Sequence, residues 1–135
     1  MELKRNCNAV YMINYHIILV VKYRKKVFTN VDIIESIKNI MRNISETFDV
    51  EVVGQECGED HIHMLISTKP TLDITKYINI LKGHSSREIR KTFKQELSEK
   101  LCGDAFWSPS YFIASAGNIS IDTIYKYIEN QRNKI

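Results

Sequence analysis

Along this chain the spacing of apolar residues switches back and forth between the period of a strand and that of a helix. The stretch from Tyr11 to Val21 is rich in β-branched and aromatic residues (Tyr11, Ile13, Tyr15, Ile17, Ile18, Val20, Val21), which predicts a long strand. Over Val31 to Phe48 the apolar residues Ile33, Ile37, Ile40, Ile44 and Phe48 recur at spacings of three and four. That is the helical period, and Asn30 is available as N-cap. Val50 to Gly54 and Ile62 to Ile66 alternate as two short strands, joined through Gly58, Glu59 and Asp60, which have turn chemistry. A second helix fits from about Ile74, capped by Asp73, through Tyr77, Ile78 and Leu81 to about Phe93, with Gly83 as a point of interruption. A loop containing Gly103, Trp107 and Pro109 precedes a fourth strand around Tyr111 to Ser115. The last element is a helix from Ile121 to about Gln131, with Ser120 as N-cap.

The order is β-α-β-β-α-β-α, which predicts an α+β fold: an antiparallel sheet with helices on one face. Its first six elements match the ferredoxin-like (RRM-like) split motif, leaving the C-terminal helix to dock elsewhere. Pro70 and Pro109 are the only prolines, and no repeat or low-complexity linker interrupts the pattern, so residues 1–135 are expected to form one domain.

Composition agrees: of 135 residues, 44% are hydrophobic and 26% charged, as in an ordinary globular protein. No run approaches the roughly 18 apolar residues that a membrane span needs, and the N-terminus lacks the apolar core of a secretory signal. A cytoplasmic protein with no membrane association is expected. Cys7, Cys57 and Cys102 are far apart and form no Cys-x-x-Cys pair, which argues against a disulfide framework or a zinc knuckle. The net charge of +3 is small, but it is clustered in Lys22, Arg24, Lys25 and Lys26, and again in Arg87, Arg90, Lys91 and Lys94. A polyanionic partner needs such clustering, although two solvated faces explain it as well.

The segment His61-Ile62-His63 carries the first candidate chemistry. Side chains alternate along a strand, so both imidazoles point to the same face about 6 to 7 Å apart while Ile62 points to the opposite layer. Two neutral imidazoles on one face suit a divalent metal ion whose remaining positions stay open to substrate oxygens, or simply a hydrogen-bonded pair. On the last helix, Tyr127 and Gln131 are four residues apart and thus neighbours, about 6 Å apart. Tyr125 and Glu129 form a rival pair with a carboxylate, although Tyr125 belongs to the apolar stripe of Ile121, Ile124 and Ile128.

Five ordered segments together resemble one family: the small single-tyrosine transposases of the insertion sequence 200/605 class, part of the His-hydrophobic-His (HUH) nucleases. They are Asn14-Tyr15-His16-Ile17 with the basic run from Lys22 to Val27, Asp60-His61-Ile62-His63, Lys82-Gly83-His84-Ser85-Ser86-Arg87, Trp107-Ser108-Pro109-Ser110-Tyr111-Phe112, and Tyr127-Ile128-Glu129-Asn130-Gln131. The resemblance implies that Tyr127 is the nucleophile and that Gln131 joins His61 and His63 as third metal ligand. It also implies a homodimer with a merged sheet, whose active sites combine the tyrosine helix of one subunit with the histidines of the other. The implied substrate is single-stranded DNA bearing hairpins near the ends of a mobile element.

On that reading a divalent ion, Mg²⁺ or Mn²⁺, binds the scissile phosphate and orients it for attack by Tyr127, giving a 5′-phosphotyrosine and a free 3′-hydroxyl without any nucleotide cofactor. Lys22, Arg24, Lys25, Lys26, Lys82 and Arg87 are the candidate DNA-binding residues, and Tyr23 and Trp107 are candidates for stacking on bases, with core packing the stronger reading for Trp107. Competing readings are a non-catalytic module that binds single-stranded nucleic acid, a zinc- or iron-dependent small-molecule enzyme, and a domesticated tyrosine nuclease that processes repeated palindromes.

Overall fold

The computed structural model describes residues 3–5, 10, 11, 13–101, 103, 105–116 and 126–130. Its elements are β1 (Lys4–Arg5), β2 (Val10–Tyr11), β3 (Ile13–Val20), α1 (Val31–Thr47), β4 (Glu51–Cys57), β5 (His61–Thr68), α2 (Ile74–Thr92), α3 (Lys94–Leu101) and β6 (Phe112–Ser115). β1 and β2 form a small antiparallel pair of their own. The other four strands make one antiparallel sheet in the order β4-β5-β3-β6. From β3 onward the chain therefore runs β-α-β-β-α-β, with α3 added before the last strand.

Both long helices start where the caps predict. The Asn30 side chain accepts a hydrogen bond from the Ile33 amide at 2.9 Å, and that of Asp73 accepts one from the Lys76 amide at 3.1 Å. α1 buries Ile33, Ile37, Met41 and Ile44, and it ends where Asp49 adopts a left-handed φ of 55°. α2 buries Tyr77, Ile78, Leu81, Ser85 and Ile89 and runs unbroken through Gly83, contrary to the expected interruption. A helical glycine costs only about 1 kcal/mol relative to alanine, which the buried residues on either side of it outweigh.

These stripes cover one face of the sheet, packing on Ile17 and Leu19 of β3 and on Ile62, Met64 and Ile66 of β5. On the opposite face Ile18 and Val20 are buried instead, together with Ile128, and Phe112 and Tyr127 lie against them. Residues 126–130 are helical. The rest of the expected terminal helix, with Tyr125 and Gln131, lies outside the described residues.

Two further differences have simple causes. α3 occupies part of the expected loop, but it buries only Leu97 and Leu101, too few residues to register as a period. β4 extends to Cys57 because a bulge between Val52 and Gly54 breaks the alternation that sequence spacing assumes. Trp107 takes the core role favoured for it over base stacking: it is 5% exposed, its Nε1 donates to the Ser85 hydroxyl at 3.1 Å, and its ring packs edge-on to Phe106.

The two long helices are also joined by a buried hydrogen bond. The Ser45 hydroxyl donates to the Met41 carbonyl at 2.7 Å, so the Tyr77 hydroxyl, 2.7 Å away, must donate to Ser45. Tyr77→Phe is expected to cost about 1 kcal/mol in urea unfolding, the net worth of such a bond. An unchanged unfolding midpoint would show that the contact contributes nothing.

Candidate active site

Antiparallel pairing carries the alternation of β5 across the sheet. With Ile62, Met64 and Ile66 in the core, His61 and His63 emerge on the opposite face, paired with Val20 and Ile18 of β3 respectively. A third imidazole joins them: His16 Nδ1 lies 2.9 Å from His63 Nε2, with the ring centres 5.0 Å apart. One of the two nitrogens must carry the proton. His16 lies within one of the sequence segments above, but only the β3–β5 register brings it beside His63. Burial holds the His63 imidazole below its ordinary pKa, with His16 and His61 acting in the same direction against the pull of Glu56. The neutral form, which is the one that binds metal, is thereby favoured.

His61 is held from behind. Asp60 is nearly buried, and its Oδ1 lies 2.8 Å from His61 Nδ1 while its Oδ2 accepts a 2.8 Å bond from Arg24 Nε. Burial alone would raise this carboxyl's pKa, but the bonds to His61 and Arg24 outweigh it and keep Asp60 below its usual range. An ionised carboxylate can only accept, so the His61 proton belongs on Nδ1 and Nε2 is left as the free nitrogen. Gly58 lies directly beneath this ring, where an added Cβ would fall 2.8 Å from Nδ1 and 2.9 Å from Nε2.

Arg24 reaches Asp60 from a short turn, Lys22–Arg24, in which Tyr23 and Arg24 both have left-handed backbones with φ of 60° and 52°. Such conformations cost non-glycine residues on the order of 1 kcal/mol or more each and persist only where surrounding contacts enforce them. The turn leaves the Tyr23 ring exposed, with Lys22 Nζ 5.4 Å and Lys25 Nζ 6.0 Å from its centre. Lys26 is exposed.

Tyr127 lies on the histidine face, because its neighbour Ile128 packs on Ile18 and Val20, the cross-strand partners of His63 and His61. Its ring is 5.1 Å from that of Phe112. Burial raises the phenol's pKa, and Ser110 offsets this only in part, without a well-formed bond. Among the described residues, two buried side-chain oxygens lack a hydrogen-bond partner: Tyr127 Oη and Asn14 Oδ1. Asn14 shares strand parity with His16, so both orphan oxygens belong to this one face. A buried polar atom without a partner costs about 1–3 kcal/mol, and such atoms often mark a site that awaits a ligand.

The other candidates are dispersed. Lys82 turns inward, its Nζ donating to the carbonyls of Ser108 at 2.9 Å and Pro109 at 3.1 Å, and burial lowers its pKa. Arg87 is exposed and, with Arg90, Lys91 and Lys94, lines a cavity of about 580 Å³ whose wall includes Leu97. The Cys57 thiol is pushed up to about 11 by burial, partly countered by Lys38, so it offers no thiolate ligand at neutral pH. No three His, Cys, Asp or Glu side chains converge as a metal site among the described residues. Gln131, the third ligand that the resemblance implies, lies outside the described residues. No helix among the described residues is long and apolar enough to cross a membrane.

Comparison with known proteins agrees with this geometry. The family model "Transposase IS200 like" matches residues 9–131. The ISDra2 transposase TnpA of Deinococcus radiodurans is 37% identical over 99% of this chain and 94% of its own length. The transposase for insertion sequence element IS200 of Salmonella typhimurium is 31% identical over 87% of this chain and 75% of its own. A crystal structure from Deinococcus radiodurans, solved at 1.90 Å under a transposase name, superposes with a TM-score of 0.86 at 31% identity, covering 95% of this chain and 97% of that one. A tyrosine transposase bound to a REP hairpin shares the fold, with a TM-score of 0.57 at 13% identity over 99% of this chain and 74% of its own.

The cradle under His61 is open to a direct check. Gly58→Ala is expected to push the His61 ring off Asp60 and shift its imidazole resonances in NMR spectra. Gly54→Ala, whose added Cβ meets nothing within 4 Å, should leave those resonances in place. Equal shifts in both variants, or none in either, would contradict the cradle.

Proposed function

The chain belongs to the IS200-like transposase family, and we propose that it cuts and rejoins single-stranded DNA through a covalent 5′-phosphotyrosine bond to Tyr127. The observation that carries this reading is the shared face: two histidines and a tyrosine hydroxyl from distant parts of the chain, the hydroxyl buried without a hydrogen-bond partner.

The residues fit a divalent ion. His61 presents a free Nε2, His63 is biased to its neutral form, and Gln131 would complete the set with an amide oxygen. When bound, Mg²⁺ or Mn²⁺ would supply charge withdrawal from the scissile phosphate. A phenol with pKa near 10 is ionised only about once in a thousand molecules at neutral pH, a penalty of roughly 4 kcal/mol, and burial of Tyr127 adds to it. The resting hydroxyl is thus a poor nucleophile, and its proton must leave as the bond to phosphorus forms. Attack by Tyr127 Oη on phosphorus makes one phosphodiester bond and breaks another. The 3′-oxygen of the upstream strand leaves, taking up a proton as a free hydroxyl. One ester replaces another, so the reverse step joins strands without an external energy source.

Lys22, Lys25 and Lys26, with the exposed Tyr23, form a basic and aromatic corner beside Asp60 that suits an unpaired strand: phosphates on the ammonium groups, a base on the ring. Arg87 and its basic neighbours around the α2–α3 cavity offer further phosphate contacts on the helix side of the sheet. We extend the reading to DNA hairpins at the ends of a mobile element as the substrate. We extend it also to a homodimer with merged sheets, for which β4 and β6, the edge strands among the described residues, provide the backbone.

Incubation with labelled single-stranded DNA carrying an element-end hairpin, plus Mn²⁺, followed by denaturing electrophoresis, tests the chemistry. A protein-linked fragment is expected from the wild type and from Tyr125→Phe, and none from Tyr127→Phe, from His61→Ala or in EDTA. An adduct that survives Tyr127→Phe would contradict the nucleophile assigned here. Mixing Tyr127→Phe with His61→Ala subunits tests the shared site, because recovery of the adduct requires the tyrosine of one subunit to serve the histidines of the other. No recovery would place each site within one chain.

A further inference from the structure

Arg24 belongs to the basic run that reads as a DNA contact, yet its side chain is only 20% exposed and its Nε is spent on a nearly buried carboxylate. We propose that Arg24 is a positioning residue for the histidine pair: acting through Asp60, it holds His61 with the proton on Nδ1 and Nε2 bare.

Three independent features converge on this relay. The first is its geometry, with two bonds of 2.8 Å to the two different oxygens of Asp60, so that Arg24 and His61 grip the carboxylate from opposite sides. The second is the backbone. Val21 donates its amide to the Asp60 carbonyl at 2.8 Å, which fixes the start of the turn, and the next two non-glycine residues after Lys22 are then forced into left-handed conformations. A phosphate contact on an exposed loop requires no such bend, whereas aiming a guanidinium inward at Asp60 does. The third is Gly58, which leaves the His61 ring room in this orientation and no other residue type's Cβ beneath it. A carboxylate behind an imidazole sets its tautomer, and a guanidinium behind the carboxylate keeps that group ionised and immobile. The phosphate contacts then fall to the lysines of the same basic run, the exposed Lys26 among them.

The relay rests on the proposed-function reading for its effect on metal, but not for its effect on the imidazole, and the experiment separates the two. In metal-free protein, long-range ¹⁵N–¹H spectra should show His61 as the Nδ1–H tautomer, and Asp60→Asn and Arg24→Gln should mix or reverse it. Manganese titration followed by EPR should show affinity about 10- to 100-fold weaker in each variant, and no further loss in the double variant. Thermal melts identify any variant that fails to fold, and Arg24→Gln, at a position with partial solvent contact, keeps the test alive if Asp60→Asn does not. Anisotropy of fluorescein-labelled oligothymidine in EDTA should give Arg24→Gln a near wild-type affinity and salt slope. Lys22→Gln combined with Lys26→Gln should reduce that slope by about 1.4, at ~0.7 for each phosphate contact on a single strand. The proposal is overturned if Arg24→Gln leaves the His61 tautomer and manganese affinity unchanged, or lowers the salt slope by about 0.7 as a phosphate contact on a single strand would. Absence of manganese binding in the wild type would sink the metal reading alone, and the tautomer would still decide the relay.

Discussion

The whole site depends on the parity of β5. Burial of Ile62, Met64 and Ile66 fixes which face each residue of the strand occupies, and each such side chain contributes about 1.5–3 kcal/mol when removed from water. A slip of one residue would drive both imidazoles into the apolar layer and bring three aliphatic side chains out of it. The histidines thus owe their placement to the hydrophobic residues between and beyond them. β3 obeys the same constraint, with Ile17 and Leu19 facing the helices and His16, Ile18 and Val20 facing away.

That second face is neither bare surface nor a second core. Ile18 and Val20 are buried by Ile128, while imidazoles, a carboxamide and a phenol occupy the positions around them. Polar groups in such a setting feel a lower dielectric than in water, which strengthens their interactions and penalises any that lack partners. The raised phenol of Tyr127 and the lowered imidazole of His63 are two expressions of this environment. Asp60 is the exception that stays charged, because Arg24 and His61 surround it.

Much of this was legible in the sequence because it rests on short-range rules. Periodicity locates both long helices, Asn30 and Asp73 cap them as their side-chain chemistry requires, and strand parity alone puts His61 and His63 on one face. What stayed hidden depends on pairing across distance. His16 meets His63 only through the β3–β5 register, and Asp60 meets Arg24 only because a turn with two left-handed residues folds back on the β4–β5 corner. In the sequence Arg24 is indistinguishable from Lys25 and Lys26, and Lys82 from any exposed lysine. Their inward bonds distinguish them. α3, with two buried leucines, and the bulge at Gly54 fall below what periodicity can register.

The central claim is that His61 and His63 hold one divalent ion at the face where Tyr127 lies. Anomalous diffraction at the manganese edge, on crystals grown with Mn²⁺ and a single-stranded DNA hairpin, tests it most directly. The account predicts one peak within coordination distance, about 2.2 Å, of a ring nitrogen of both His61 and His63, with a tyrosine hydroxyl and a backbone phosphate converging on it. A peak elsewhere, or ordered DNA with no metal between the two imidazoles, would contradict it.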